Sequence, residues 1–303
     1  MKATLIVWTM VFAVFCALPA RAQQVALTFD DLPSHGPLPP GMTRADVANR
    51  IIETLRQWKA PEVFGFVNGK LVESEPADAV VLKLWRAAGF PLGNHAFSHM
   101  DLHTNTAEAF QADVDANERL LESLMPSADW RWFRYPFLRE GDNPQKKQAV
   151  AAYLAQKGYK VAQVTLSFGD YAWNAPYARC AAKNDTQGIE TLKALYSKAA
   201  ADSLRVGREM SQTIFGRDIK HVMLLHIGAF ETVMLPRLME LLKQEGFTLI
   251  TLPEAESDPA YKTEAAPLAS WNGTLLDQLL QAKKLKPPAR GASVFPTLDA
   301  LCR

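Results

Sequence analysis

Short apolar runs alternate with amphipathic segments along most of this chain, and the alternation restricts the fold more than anything else in it. Val25-Ala26-Leu27-Thr28-Phe29 reads as a buried strand running into Asp30-Asp31, and a loop rich in proline and glycine follows. Thr43 stands as an N-cap before 45–58, where Val47, Ile51, Ile52, Leu55 and Trp58 recur at helical spacing. The pairing repeats, with strands expected over 63–67, 91–94, 132–135, 161–166, 222–227 and 247–252, and helices over 77–88, 107–125, 145–157 and 233–244. Strands alternating with helices require a parallel sheet with helical crossovers. Seven strands in a chain of 303 residues favour a closed or nearly closed α/β barrel in one domain. An insertion over 174–217 contains a helix, and beyond residue 253 the pattern weakens to one further helix near 275–283.

Charge and cysteine content narrow the function. The formal net charge is +1 and the basic residues are scattered, so there is no clustered basic surface of the kind nucleic acid requires. Met1-Lys2, an apolar run over 5–18 and Ala20-Arg21-Ala22 before Gln23 have the layout of a secretory signal peptide over 1–22. The run is shorter than the roughly 20 residues a spanning helix needs, and no later stretch is apolar enough to span a bilayer. The mature chain is therefore expected in the periplasm or the medium. It keeps two cysteines, Cys180 and Cys302, and an oxidising compartment invites a disulfide between them.

Placed on this alternation, the polar residues gather. Asp30 and Asp31 end the first strand, and His95 and His99 follow the third. Arg134 ends the fourth, Asp170 follows the fifth and His226 ends the sixth. In α/β barrels the C-terminal strand ends form the active-site mouth. Each group follows a buried run, where an unpartnered polar group is costly. His95 and His99 are four apart, so one helical turn or a tight loop can aim both imidazoles at one ion. With one carboxylate they make the two-histidine, one-carboxylate set of catalytic zinc, a set that also suits Fe(II). Side chains of adjacent strand residues leave in different directions. That suggests a division of labour in which Asp31 binds the ion and Asp30 stays free as general base. His103 extends the spacing as a rival ligand but reads as a helix-surface histidine, and His35 and His221 read as surface or loop residues.

Four segments in order, Thr28-Phe29-Asp30-Asp31, Asn94-His95-Ala96-Phe97-Ser98-His99, Arg134-Tyr135-Pro136-Phe137 and Leu224-Leu225-His226, resemble the motifs of the polysaccharide deacetylase family, the NodB-homology group of carbohydrate esterases. Phe66-Val67-Asn68-Gly69 is similar to the family's second strand. The resemblance spans about 25–252. It implies a distorted (β/α) barrel of seven or eight strands and one divalent ion, usually zinc, with cobalt or another divalent ion able to substitute. By position, Asp31, His95 and His99 would be ligands, Asp30 the base, and Arg134 the cation that keeps Asp30 ionised. His226 would be the general acid, the Phe137 N–H an oxyanion donor, and Trp173 with Leu224 the wall of an acetyl pocket.

Two departures stand out. The family usually has Asp directly before the Trp, where it backs the acid histidine; here Ala172 holds that place and Asp170 is the nearest carboxylate. Leu138 stands where Gly is common, which alters the groove floor. The implied organisation is a signal peptide over 1–22, a catalytic barrel over 23–253 with 174–217 over its mouth, and an extension over 254–303 packed on the barrel. The implied activity is hydrolysis of N-acetyl groups on an acetylated glycan outside the cytoplasm. An O-acetyl esterase using the same site and an inactive glycan-binding module are the rivals.

Overall fold

The computed structural model describes residues 23–126, 129–263 and 273–303. The signal-peptide segment over 1–22 lies outside the described residues. Seven parallel strands form the sheet: β1 (Gln23–His35), β2 (Phe64–Val67), β3 (Leu92–Asn94), β4 (Trp132–Phe133), β5 (Lys160–Val161), β6 (Lys220–Gly228) and β7 (Phe247–Leu249). Their order is β5-β4-β3-β2-β1-β6, and β7 pairs with the start of β1. Beyond β5 the chain reaches β6 through a parallel bridge from Leu166 to Met223, so the sheet curls towards closure. The result is an incomplete α/β barrel in a single domain.

The helices arise where periodicity places them. Thr43 caps Arg44–Gln57 in a reciprocal capping box with Asp46, satisfying two otherwise orphaned backbone donors. Val47, Ile51, Ile52 and Leu55 form its buried stripe against the sheet. The helix expected over 107–125 is two helices, Ala107–Ala116 and Glu118–Leu124. The break falls at Asn117, which is fully buried: its amide donates to the Val67 carbonyl and to Asn94, and its oxygen accepts from Gly69 N–H. A side chain committed to the ends of β2 and β3 and to the first residue of the helix Gly69–Ser74 outweighs helix continuity here.

The 174–217 stretch does not sit over the mouth. Most of it is one helix, Thr186–Phe215, whose buried stripe (Leu192, Tyr196, Ala200, Leu204, Met210) makes it the outer crossover into β6. Only its leading edge reaches the mouth, where Asn174 donates to the carbonyls of His35 and Pro37 and accepts from Phe230 N–H. The C-terminal segment packs on the barrel, with Leu275 N–H donating to the Val164 carbonyl and Leu276 and Leu298 buried. A disulfide joins Cys180 to Cys302. Among the described residues no helix is long and apolar enough to cross a membrane.

Candidate active site

The site begins at an irregularity in β1. Register with both neighbouring strands shifts just beyond Asp30, and Asp31 adopts a left-handed conformation (φ 64°). A bulge of this kind breaks the alternation of a regular strand. The adjacent carboxylates therefore do not diverge as the strand rule suggests. Both face one imidazole, with His95 Nε2 3.6 Å from Asp30 and 3.5 Å from Asp31. Strained backbone is common around this mouth. Five of the nine described non-glycine residues with positive φ are Asp31, Ala96, His99, Phe137 and Leu138, and such conformations persist only where surrounding structure enforces them.

The two histidines ride on a tight loop, not a helical turn. Asn68 donates to the carbonyls of His95 and Ala96, Asn94 accepts from Ala96 N–H, and Asp113 accepts from Ser98 N–H. His95 Nδ1 lies 2.7 Å from the Arg134 carbonyl. A carbonyl only accepts, so Nδ1 carries the proton and the Nε2 lone pair of the neutral ring faces the carboxylates. His99 Nε2 lies 3.5 Å from the same Asp31 oxygen, Oδ1. Burial pushes both imidazoles down to about 4, so both are neutral near pH 7.

Asp31 Oδ1 is buried with no hydrogen-bond partner, and an orphaned buried carboxylate oxygen is expensive. Around it, the neutral His95 ring turns its Nε2 lone pair inward, so acceptor faces acceptor, and His99 Nε2 stands at the same distance from the same oxygen. The ligand atoms of Asp31, His95 and His99 all fall within 4.8 Å of one another. A divalent cation fits this donor set, which is the two-histidine, one-carboxylate type.

Asp30 is held differently. Arg134, itself buried, donates to both Asp30 oxygens at 3.1 and 3.3 Å. Its other nitrogens donate to Thr28 and to the Ala162 carbonyl, so the guanidinium is fixed on all sides. Burial raises the Asp30 carboxyl to about 6, with Arg134 opposing the rise. Across the β1–β6 register from Asp30 stands His226. Asp170 accepts from both its backbone N–H (2.7 Å) and its Nδ1–H (3.0 Å). Burial would depress this imidazole, but the Asp170 charge and hydrogen bond outweigh burial and raise it to about 9. The carboxylate two residues before Ala172 thus reaches the position opposite His226.

Several residues are placed otherwise than the sequence suggests. Trp173 is wholly buried and donates its indole N–H to the Leu192 carbonyl, with its ring against Phe168 and Tyr196. It gives no surface to a ligand. The exposed aromatic at this point is Tyr171, 5.5 Å from the His226 ring. Leu224 is nearly buried on β6, and the Phe137 ring lies 4.4 Å from His99. His35 is no bystander: it ends β1, and its Nδ1 lies 2.7 Å from Asp31 Oδ2. The Asp31–His35 spacing of four was its only signal. His221, read as a surface or loop residue, is buried in β6 beside Thr165. His103 lies in a turn, not on a helix, and takes no part in the Asp31–His95–His99 cluster.

Residues 18–162 match the family described as polysaccharide deacetylase, a stretch ending before Asp170 and His226. The peptidoglycan-N-acetylmuramic acid deacetylase PdaA of Bacillus subtilis (strain 168) is 26% identical over 116 residues, covering 38% of this chain and 39% of that protein. The chain thus matches about two-fifths of that relative's length. Among solved structures, a chitin deacetylase from the fungal pathogen Colletotrichum lindemuthianum superposes with a TM-score of 0.53 at 21% identity, covering 79% of this chain and 89% of that one. The polysaccharide deacetylase Bc1974 from Bacillus cereus gives 0.53 at 18% identity, covering 76% and 91%. A CE4 family pseudoenzyme from Bacillus anthracis, BA3943, gives 0.51 at 15% identity, covering 78% and 66%. These likenesses are likenesses of fold.

Proposed function

We propose that this chain, whose residues 18–162 match the polysaccharide deacetylase family, hydrolyses the N-acetyl groups of N-acetylglucosamine units in a glycan outside the cytoplasm and releases acetate. One observation carries the reading: an unmatched ligand cluster and a matched histidine–carboxylate pair flank the same buried aspartate, Asp30. A pseudoenzyme shares the fold, so the fold alone is no argument for turnover. The full set of Asp30, Asp31, His95, His99, Arg134, Asp170 and His226 is what favours it.

Asp31, His95 and His99 would hold a divalent ion, and zinc is the one we propose among those this donor set suits. Bound there, the ion would polarise the acetyl carbonyl and acidify water. Asp30 takes the proton from the attacking water as its oxygen bonds to the carbonyl carbon. Arg134 holds Asp30 in place and favours its ionised form. The Phe137 N–H donates to the carbonyl oxygen as negative charge builds on it. His226, kept protonated by Asp170, gives its proton to the nitrogen as the carbon–nitrogen bond breaks. Water and amide become acetate and amine, and the atoms balance. Export fits the apolar N-terminal run and the Cys180–Cys302 disulfide, since such bonds persist in oxidising compartments.

Acetate release from a panel of N-acetylglucosamine oligomers, peptidoglycan and acetylated xylan tests the reading. Activity on the amide substrates should vanish on chelation and return with zinc or cobalt. Turnover persisting in metal-free protein refutes the ligand set, and release from xylan alone assigns an O-acetyl esterase.

A further inference from the structure

Among the described residues, four large hydrophobic side chains are strongly exposed: Val80, Phe137, Tyr171 and Phe295. Val80 lies on an outer helix, Ala79–Ala87. Phe137 and Tyr171 stand at the mouth, Phe137 against His99 and Tyr171 against His226, and Phe295 lies beside Tyr171. The Tyr171 and Phe295 ring centroids are 6.4 Å apart, with the two rings only 23° from parallel. Exposed aromatic surface gathered beside a polar site marks contact with a ligand.

Phe295 comes from the far end of the chain, and its position is built. It opens the helix Phe295–Ala300, whose Leu298 is buried. Arg179 donates to the carbonyls of Leu298, Asp299 and Leu301, and the Cys180–Cys302 disulfide closes the same segment. On its inner side the Phe295 ring lies over Gly169 so closely that a Cβ there would be 2.8 Å from Cζ. Gly169 also has a positive φ of 73°, so a glycine is required at this point twice over. The ring is thus supported from beneath with 44% of the residue left open to solvent. Several anchors hold an apolar surface where the hydrophobic effect alone would bury it.

We infer that Tyr171 and Phe295 form a sugar-stacking platform that takes a pyranose ring of the glycan neighbouring the acetylated unit, on the His226 side of the site. A pyranose offers an apolar C–H face edged by hydroxyls, which suits nearly parallel aromatic faces continuous with a polar mouth. This rests on the deacetylase reading. It gives the C-terminal segment a part in choosing polymer over monomer.

The test compares wild type, Phe295→Ala and Phe295→Trp on N-acetylglucosamine and on its tetramer. The readout is the ratio of kcat/KM for tetramer to that for monomer. Wild type should prefer the tetramer, Phe295→Ala should lower the preference about fivefold to tenfold, and Phe295→Trp should restore it. A proportional fall on both substrates makes the residue merely structural and overturns the platform while leaving the deacetylase reading intact. An unchanged ratio does the same, as does an unchanged ratio together with loss of a dimer in sedimentation, which would make this face a contact between copies. A wild-type protein that releases acetate from neither substrate sinks the deacetylase reading, and the platform with it.

Discussion

The two sides of the mouth use the same residue type in opposite electrostatic states. On the His95/His99 side, burial pushes the buried His95 and the half-buried His99 down to about 4, and His95 turns a lone pair onto a carboxylate oxygen that has no donor. On the His226 side, burial acts in the same direction, but Asp170 takes two hydrogen bonds and raises the ring to about 9. The difference lies in whether the acceptors are satisfied. A side whose lone pairs face one another is incomplete without a cation, and a side whose donors and acceptors match is complete as a proton carrier. Hydrogen-bond satisfaction therefore separates a ligand set from an acid–base pair before any ion is in view.

The largest effects should come from breaking each side in turn. His95→Ala should lose both bound metal and turnover. His226→Ala should keep metal content near that of wild type while kcat falls by about 10²- to 10⁴-fold, the usual worth of a general acid. Metal analysis of the purified variants beside their acetate release decides the matter. Loss of the ion from His226→Ala would place His226 among the ligands and erase the contrast between the sides.

Much of this contrast was legible in the chain, because strand order puts Asp30, Asp31, His95, His99, Arg134 and His226 in the C-terminal halves of β1 and β6 or just beyond β3 and β4, without knowledge of side-chain packing. The parallel sheet and its crossovers followed from the same periodicity. What escaped depends on local backbone that periodicity does not encode. Both aspartates face His95 because Asp31 turns left-handed in a bulge, where a regular strand would send them apart. Trp173, expected at the pocket wall, is buried and Tyr171 is exposed, because the turn Asp170–Trp173 is a 3₁₀ helix entered through left-handed Gly169. Two residues then decide which aromatic goes inward. His35 resembled a loop histidine because its partner is one particular oxygen of Asp31, and the continuation of β1 as far as His35 was not visible in a proline-rich segment.

His35 sharpens the ligand side at the next scale of effect. Its Nδ1–H donates to Asp31 Oδ2, which leaves Oδ1 as the oxygen turned to His95 and His99. Outer-shell partners that orient a ligand are worth roughly 10- to 100-fold in metal affinity. Zinc titration of metal-free His35→Ala against a chelator of known affinity should show a weakening in that range, with the fold intact by circular dichroism. Affinity within twofold of wild type would mean that Asp31 is oriented by the bulge alone.

The smallest expected change tests the other side through pH. Burial would lower the His226 pKa, but Asp170, with Asp31 and Asp30 adding to it, raises it above its ordinary 6.5 to about 9, so the protonated ring dominates at neutral pH and is lost as pH rises through about 9. If His226 is the proton donor, kcat should hold through neutral pH and fall on that alkaline limb. The stability contributed by the pair has the same sign: it is fully present below pH 6.5 and lost as pH climbs through 9. Asp170→Asn keeps an oxygen for the His226 backbone N–H but removes the charge, so burial is opposed only by the Asp31 and Asp30 charges and the imidazole falls. The alkaline limb of kcat should then move down by at least about one pH unit, each unit being tenfold in the protonated fraction above the pKa. Thermal stability should drop more at pH 6 than at pH 10. A limb that stays near pH 9 in Asp170→Asn would assign the alkaline ionisation to another group, and the matched side would then be an architectural pair with no part in proton transfer.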